Sequence, residues 1–274
     1  MTTSLLKVPG ASIYHEVRGS GPVLLMMPGG PADAGAFRRI AGHLESNYTV
    51  VTYDPRGLSH SPLDAPVRDK EIVQIFADDA HRLLTETAKA PAFVFGSSGG
   101  AVIALELAAR HPEQLRTLVP HEPPAPALLP HPARERAAMA EIVETYRAAG
   151  IGPAMQKFMV QTGIRTGPPP PPSGEPTPEM RDATANTQRN MDFWLGHYFM
   201  AIADYEPDFG ALKKGPFRIV PGVGEASRGE LANEGGLELA RRLGTEAVVF
   251  PGAHGGFESH APEFAVKLRE VLTS

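Results

Sequence analysis

The sequence predicts an α/β fold in which a mostly parallel sheet of about eight strands carries helices on both faces. Short apolar runs alternate with helical patterns along most of the 274 residues. Runs with few polar residues, such as VLLMM at Val23–Met27, are typical of strands that are buried on both sides of a sheet. Hydrophobic residues make up 42% of the chain, which is enough for one large core.

The elements follow in order from the amino-terminal end, where two short strands separated by Pro9-Gly10 predict a hairpin. Later apolar runs of strand length are Val23–Met27, Tyr48–Tyr53, Ala92–Phe95, Leu115–Val119, Phe217–Val220 and Ala247–Phe250. Segments whose apolar residues recur at helical spacing are Ala36–Leu44, Glu71–Thr87, Ala101–Arg110, Leu237–Leu243 and Pro262–Leu272. Strands and helices that alternate in this way predict parallel pairing.

The alternation stops in the stretch 123–212. Two helical pieces there, Ala133–Ala149 and Asn186–Ala203, are separated by a Pro-rich loop, GPPPPPSG at 167–174. Five consecutive prolines exclude a helix or a central strand, so we expect an extended connector. We therefore expect a core of residues 1–122 and 213–274 and a helical cap insertion of residues 123–212.

Composition excludes several classes of function. A formal net charge of -5 argues against a nucleic-acid binder, and the absence of cysteine excludes disulfides and thiolate chemistry. No apolar stretch approaches the roughly 20 residues of a membrane helix, and the first residues do not have the pattern of a signal peptide. We expect a cytoplasmic protein that acts on a small molecule and has no membrane or nucleic-acid partner. We expect neither a cofactor nor a metal. The sequence does not determine the oligomeric state, and a homodimer is one possibility.

The segment GSSGG at 96–100 fits the pattern G-x-S-x-G and lies between a predicted strand and a predicted helix. A sharp strand-to-helix turn strains the backbone at its central residue and leaves no room for side chains two positions away. This spacing selects Ser98, because a turn centred on Ser97 would place Phe95 where glycine is needed. The alternative is a helix-entry turn without chemistry.

A serine nucleophile needs a base, and the chain has ten histidines. His254 follows the strand Ala247–Phe250, so we expect it at the same edge of the sheet as Ser98. His260 is the competing residue, but it adjoins the last helix. We therefore favour His254 as the base.

The base needs a carboxylate to orient it, and two glutamates follow predicted strands between Ser98 and His254. Glu122 in VPHEPP is stiffened by neighbouring prolines, which suits a carboxylate held in one geometry. Glu225 in PGVGEAS lies in a Gly-rich, polar loop. The residues alone favour Glu122 slightly and leave Glu225 open as the alternative acid.

Two backbone N–H groups are expected to form an oxyanion hole. Gly99 supplies one at the start of the helix, and the loop after an early strand supplies the other. In that loop, MMPGGPAD, Pro31 has no N–H and Gly30 can donate. We expect Pro31 and Trp194 to line the substrate pocket, although core packing is an alternative role for Trp194.

Taken together, these motifs resemble the α/β-hydrolase superfamily over nearly the whole chain. DPRGLSHS at 54–61 is similar to a turn common in that superfamily, and Pro28-Gly29 replaces the usual His-Gly of the oxyanion loop. GSSGG, HEPP at 121–124 and FPGAHGGFESHAPEFA at 250–265 are closest to the zearalenone lactonases and related actinobacterial hydrolases. In those lactonases a glutamate in a His-Glu-x-Pro context is the acid, so the resemblance implies Glu122; the loop at Glu225 lacks the aspartate that most members carry there.

The resemblance implies a serine hydrolase that cleaves an ester or lactone. The sequence leaves two other classes open, namely a cyclase or lyase that uses the same oxyanion hole and a binding protein without catalysis. It does not identify the substrate.

Overall fold

The computed structural model describes residues 1–164 and 178–274, and the side chains of 178–183 also lie outside the description. The predicted Pro-rich loop at 167–174 falls outside the described residues. In the described part of the chain the strands are β1 (Thr2–Val8), β2 (Ala11–Gly19), β3 (Val23–Met27), β4 (Thr49–Tyr53), β5 (Ala92–Ser97), β6 (Leu115–His121), β7 (Arg218–Ile219), β8 (Gly222–Gly224) and β9 (Val248–Phe250).

These strands form one sheet in the order β1-β2-β4-β3-β5-β6-β8-β9, and β7 also pairs with β6. The first two pairings, β1 with β2 and β2 with β4, are antiparallel, and the pairings from β4 to β9 are parallel. The parallel strands therefore have their carboxyl ends along one edge. Nine strands in this arrangement agree with the predicted α/β fold.

The helices of the core are α1 (Arg38–Leu44), α2 (Ile72–Thr87), α3 (Gly99–Arg110), α9 (Leu231–Leu243), α10 (Gly256–Ser259) and α11 (Ala261–Thr273). One face of the sheet is covered by α1 and α11, whose apolar residues form a single buried cluster with Phe95 and Phe250. The other face is covered by α2 and α3 in a larger cluster that continues beneath the inserted helices. Both faces are buried, which explains the nearly continuous apolar strands.

The chain between β6 and β7 forms α4 (Pro132–Ala149), α5 (Ile151–Thr162), α6 (Pro178–Phe193), a π-helical turn (Trp194–Tyr198), α7 (Phe199–Ala203) and α8 (Phe209–Lys214). We call these the inserted helices. They occupy the stretch for which the sequence predicts a cap, and the division into core and cap stays a prediction. Of the described helices, none has the length and apolar character needed to cross a membrane.

The sequence prediction did not include α5 and α8, and two elements of the core differ from it because of glycines. Helix α9 begins at Leu231 rather than Leu237, and it contains Gly235 and Gly236. A Cβ atom on Gly235 would collide with the carbonyl oxygen of Pro123, so this helix can approach the end of β6 closely only because glycine is there. The short strand β8 reads GVG and gives no strand signal in the sequence.

Candidate active site

Ser98 lies at the turn between β5 and α3, with φ 57° and ψ -125°. A positive φ is uncommon for a residue with a side chain, so this turn is strained. The backbone N–H of Ser98 donates to the carbonyl oxygen of His121 at 2.9 Å, which ties the turn to the end of β6. Ser97, by contrast, is a buried residue of β5.

The glycines on both sides of Ser98 are required by close backbone contacts. A Cβ atom on Gly96 would lie 2.5 Å from the carbonyl oxygen of Gly100. A Cβ atom on Gly100 would collide with the carbonyl oxygens of Met27 and Pro28 at the end of β3. The second contact differs from the expected one, because Gly100 is restricted by a neighbouring strand and not by the other side of the turn.

Glu122 directly follows β6 and its side chain is completely buried. Its backbone is also strained, with φ 51°, and its N–H donates to the carbonyl oxygen of Gly222 at 3.0 Å. The bend directs the carboxylate towards His254, and its Oε2 lies 2.6 Å from Nδ1 of His254. The structure therefore brings Glu122 and His254 together from two different strand ends.

The other oxygen of this carboxylate, Oε1, accepts three hydrogen bonds. The backbone N–H of Gly224 donates at 2.8 Å, Nδ2 of Asn233 donates at 3.1 Å, and the hydroxyl of Ser227 donates as well. Each donor comes from β8, the loop after it or α9. These three groups fix the carboxylate in one orientation and leave Oε2 for the histidine.

Burial alone raises the pKa of the Glu122 carboxyl. The hydrogen bond with His254 is the largest of the opposing effects, the charges of His121 and His254 and the hydroxyl of Ser227 add to it, and the net result is a pKa of about 2. Burial also lowers the pKa of His121 to about 4. At neutral pH the structure therefore holds a charged Glu122 beside His254, with a neutral His121 beneath them.

The two competing residues lie elsewhere. Glu225 is exposed, although its loop supplies Ser227 to the carboxylate of Glu122. His260 precedes α11, and its Nδ1 lies 2.9 Å from the hydroxyl of Ser259. The sequence reasoning missed Ser227 and Asn233, which contact Glu122 from more than 100 positions further along the chain and carry no local motif.

Ser98 and His254 line the same cavity, which has two adjoining lobes. Both lobes share Gly30, Ser98, Phe158, Ile164, Trp194 and His254. The narrower lobe, of about 40 Å³, extends between the inserted helices and α9 and includes Met139, Phe199 and Leu231. The wider lobe, of about 210 Å³, extends along the loop after β3 and includes Pro31. Apolar side chains predominate in both.

Gly30 and Gly99, the expected donors of the oxyanion hole, meet beside Ser98. The backbone nitrogen of Gly30 lies 3.4 Å from the point that a Cβ atom on Gly99 would occupy. Gly30 has φ 59°, a conformation that suits glycine. Trp194 lies over Gly30, and its ring packs edge-on against Phe158 and Phe199. Trp194 therefore both lines the cavity and packs in the core of the inserted helices.

A polar clasp joins the inserted helices to the loop after β3. Asn190 of α6 is buried, and its amide nitrogen donates to the carbonyl oxygen of Pro31 at 3.1 Å and to the hydroxyl of Ser59 at 2.9 Å. The N–H of Ser59 donates back to the amide oxygen of Asn190 at 2.9 Å. The sequence reasoning also missed this clasp, which holds α6 against the loop after β3 that contains Gly30.

The comparisons with known proteins agree with the fold. A family model described as "alpha/beta hydrolase fold" matches residues 22–153. The chain is 38% identical to the uncharacterized hydrolase YraK of Bacillus subtilis (strain 168), over 97% of this chain and 94% of that protein. It is 29% identical to a zearalenone hydrolase of Cladophialophora bantiana over 45% of this chain and 48% of that protein.

Solved structures share the fold at low sequence identity. A thermophilic esterase from Thermogutta terrifontis superposes with a TM-score of 0.71 at 17% identity, covering 100% of this chain and 98% of that one. The enol-lactonase from Burkholderia xenovorans LB400 superposes with a TM-score of 0.66 at 18% identity, covering 99% of this chain and 100% of that one. At this level of identity, the likeness establishes the architecture alone.

Proposed function

This chain belongs to the α/β-hydrolase family, and we propose that it is a serine hydrolase that cleaves a carboxylic ester or lactone of a fairly apolar small molecule through an acyl-enzyme. The observation that carries the proposal is the buried contact of Glu122 with His254, a histidine that lines the same cavity as Ser98. A strained serine, a histidine and a buried carboxylate in this chain order are the parts of a catalytic triad.

In the first half of the reaction, the hydroxyl oxygen of Ser98 attacks the carbonyl carbon and its proton passes to Nε2 of His254. Glu122 keeps the other ring proton on Nδ1 and stabilises the imidazolium that forms. The N–H groups of Gly30 and Gly99 bind the negative oxygen of the tetrahedral intermediate.

In the second half, the intermediate collapses, and the departing alcohol takes the proton from Nε2 of His254. The acyl group then remains bonded to the oxygen of Ser98. A water molecule gives its proton to His254 and attacks the acyl carbon, and the acid leaves when Ser98 recovers its proton. In a lactone the alcohol and the acid stay joined, so one product leaves.

The cavity supports an apolar substrate with a short acyl part. Apolar side chains line both lobes, and the narrower lobe of about 40 Å³ has room for only a few heavy atoms. We place the acyl group there and the alcohol part in the wider lobe. The esterase and lactonase names of the structural neighbours and the zearalenone hydrolase relative are consistent with this class of reaction.

A fluorophosphonate probe tests the proposal, because it bonds covalently to an activated serine. We expect the wild-type protein to be labelled and to hydrolyse p-nitrophenyl acetate or butyrate faster than the octanoate. The variant Ser98→Ala should lose both properties, whereas the neighbouring change Ser97→Ala should keep them. A wild-type protein that neither labels nor cleaves esters or lactones would refute the proposal, and product formed without uptake of water would favour a cyclase or lyase.

A further inference from the structure

The hydroxyl of Tyr198 lies beside the candidate oxyanion hole without a hydrogen-bond partner among the described residues. Tyr198 ends the π-helical turn and is 1% exposed. Its oxygen lies 2.7 Å from the point that a Cβ atom on Gly99 would occupy, and the backbone nitrogen of Gly30 lies near the same point. The hydroxyl therefore lies against Gly99, near the point that the nitrogen of Gly30 also approaches, and Tyr198 itself is not one of the residues that line the two lobes of the cavity.

The π-helical turn explains how this residue reaches the site. The carbonyl oxygen of Trp194 accepts from the N–H of Phe199, five positions later, so the turn is wider than an α-helical one. Trp194, the first residue of the turn, lies over Gly30, and Tyr198, the last, lies against Gly99. One irregular turn thus covers both glycines, and such turns occur often at functional sites.

We propose that Tyr198 is a further catalytic residue, whose hydroxyl donates a third hydrogen bond to the carbonyl oxygen of the substrate as that oxygen becomes negative. The inference rests on the proposed function and adds a donor to the same site. The two backbone N–H groups remain the other donors.

The surroundings of Tyr198 favour a role in binding over a role in folding. A buried hydroxyl without a partner is unfavourable, and a phenylalanine would fill the same space beside the ring of Phe76 without that disadvantage. A substrate oxygen at Gly30 and Gly99 supplies the missing acceptor. Burial raises the pKa of Tyr198 far above its usual value, so the hydroxyl keeps its proton and can donate it in a hydrogen bond.

The residue after the nucleophile is matched to this tyrosine. A side chain on Gly99 would collide with the hydroxyl oxygen of Tyr198, because its Cβ atom would lie 2.7 Å away. Glycine at this position leaves the space that the hydroxyl occupies. The turn between β5 and α3 and the inserted helices are therefore complementary at the place where the oxyanion would form.

The variant Tyr198→Phe tests the inference, with Tyr205→Phe as the matched control. Tyr205 is also a buried tyrosine that follows the inserted helix α7, but the cavities it lines do not include Ser98. With a p-nitrophenyl ester, we expect kcat of Tyr198→Phe to fall about 10- to 100-fold at a KM within about twofold of wild type, since an oxyanion donor acts on the transition state. The control should keep both parameters.

Two further measurements separate catalysis from folding. Affinity for an alkyl boronic acid, which forms a tetrahedral adduct with the serine, should fall by a similar factor in Tyr198→Phe, while Tm stays equal or rises. Unchanged kcat and unchanged boronate affinity in Tyr198→Phe would overturn the inference. If the wild-type protein itself fails to label and to cleave esters, the proposed function fails; a labelled wild type with an unaffected Tyr198→Phe variant refutes only the role of Tyr198.

Discussion

Replacing Glu122 by glutamine should nearly abolish hydrolysis, and the hydrogen bonds of the carboxylate explain why. Oε1 accepts from Gly224, Ser227 and Asn233, so the oxygen of the new amide must take that position. The amide nitrogen is then left to face Nδ1 of His254, where Oε2 lies 2.6 Å away in the native protein. Because an amide NH₂ only donates, the histidine must carry its proton on Nε2.

A histidine protonated on Nε2 cannot accept the proton of Ser98. A comparable carboxylate-to-amide change in a catalytic triad lowers kcat by about 10⁴, and we expect a fall in kcat/KM of about 10³ to 10⁴ in Glu122→Gln. The loss of charge has a separate cost. Because the folded chain lowers the pKa of the Glu122 carboxyl from 4.5 to about 2, the charged form stabilises the fold at neutral pH, and Glu122→Gln should lower Tm.

The assay compares Glu122→Gln with Glu225→Gln, using p-nitrophenyl butyrate hydrolysis and the rate of fluorophosphonate labelling. Circular dichroism and thermal unfolding confirm that each variant is folded. Glu225 is exposed and should tolerate the change with less than a twofold effect. A folded Glu122→Gln variant with activity within a few-fold of wild type, or a large loss in Glu225→Gln alone, would refute the assignment.

Three other predictions follow from burial and close contacts. The free energy of unfolding should fall as the pH decreases, because the unfolded chain binds protons at His121 and Glu122 more readily than the folded chain does. His121 should cause the fall between pH 6.5 and about 4, and Glu122 the fall between pH 4.5 and about 2. In His121→Phe, thermal unfolding should show a shallower fall between pH 6.5 and about 4. Gly100→Ala should lower Tm by several degrees or prevent folding, because its Cβ atom would collide with the end of β3. As the control, Gly42→Ala on the exposed face of α1 should raise the free energy of unfolding by about 0.5–1 kcal/mol, measured by urea unfolding. Asn190→Ala should lower the free energy of unfolding by about 1–3 kcal/mol and raise KM. It should also speed proteolysis within the inserted helices, and an unchanged rate of proteolysis would contradict a clasp at this position.

The sequence predicts the fold well because most of its elements have a strong period. Helix α2 and the strands from β3 to β6 are apolar at the spacing their structure requires. The start of α9 is hidden because Gly235 and Gly236 interrupt the pattern, although they are what lets the helix pack closely. Glycine has a low helix propensity, but the close packing that Gly235 and Gly236 allow outweighs it, so the helix includes both.

The three predicted triad residues have one feature in common, since each lies in the turn or loop that follows a strand. Parallel strands end at one edge of the sheet, so Ser98, Glu122 and His254 can be placed near one another before any side-chain contact is known. Asn233 and Tyr198 could not be found in this way. Each lies within a helical segment, and only the tertiary approach of that segment brings Asn233 to Glu122 and Tyr198 to Gly99.

The position of the proposed acid shows why the geometry of the site matters more than the place of each residue in the chain. Glu122 follows β6, and the neighbouring strand β8 and the loop after it offer hydrogen-bond donors to its carboxylate. A second carboxylate directed inwards from that loop would repel Glu122, and Glu225 avoids this by pointing to solvent. Under the proposed assignment, a carboxylate at the end of β6 is held by hydrogen-bond donors that follow β8, and Ser227 and Asn233 supply them here.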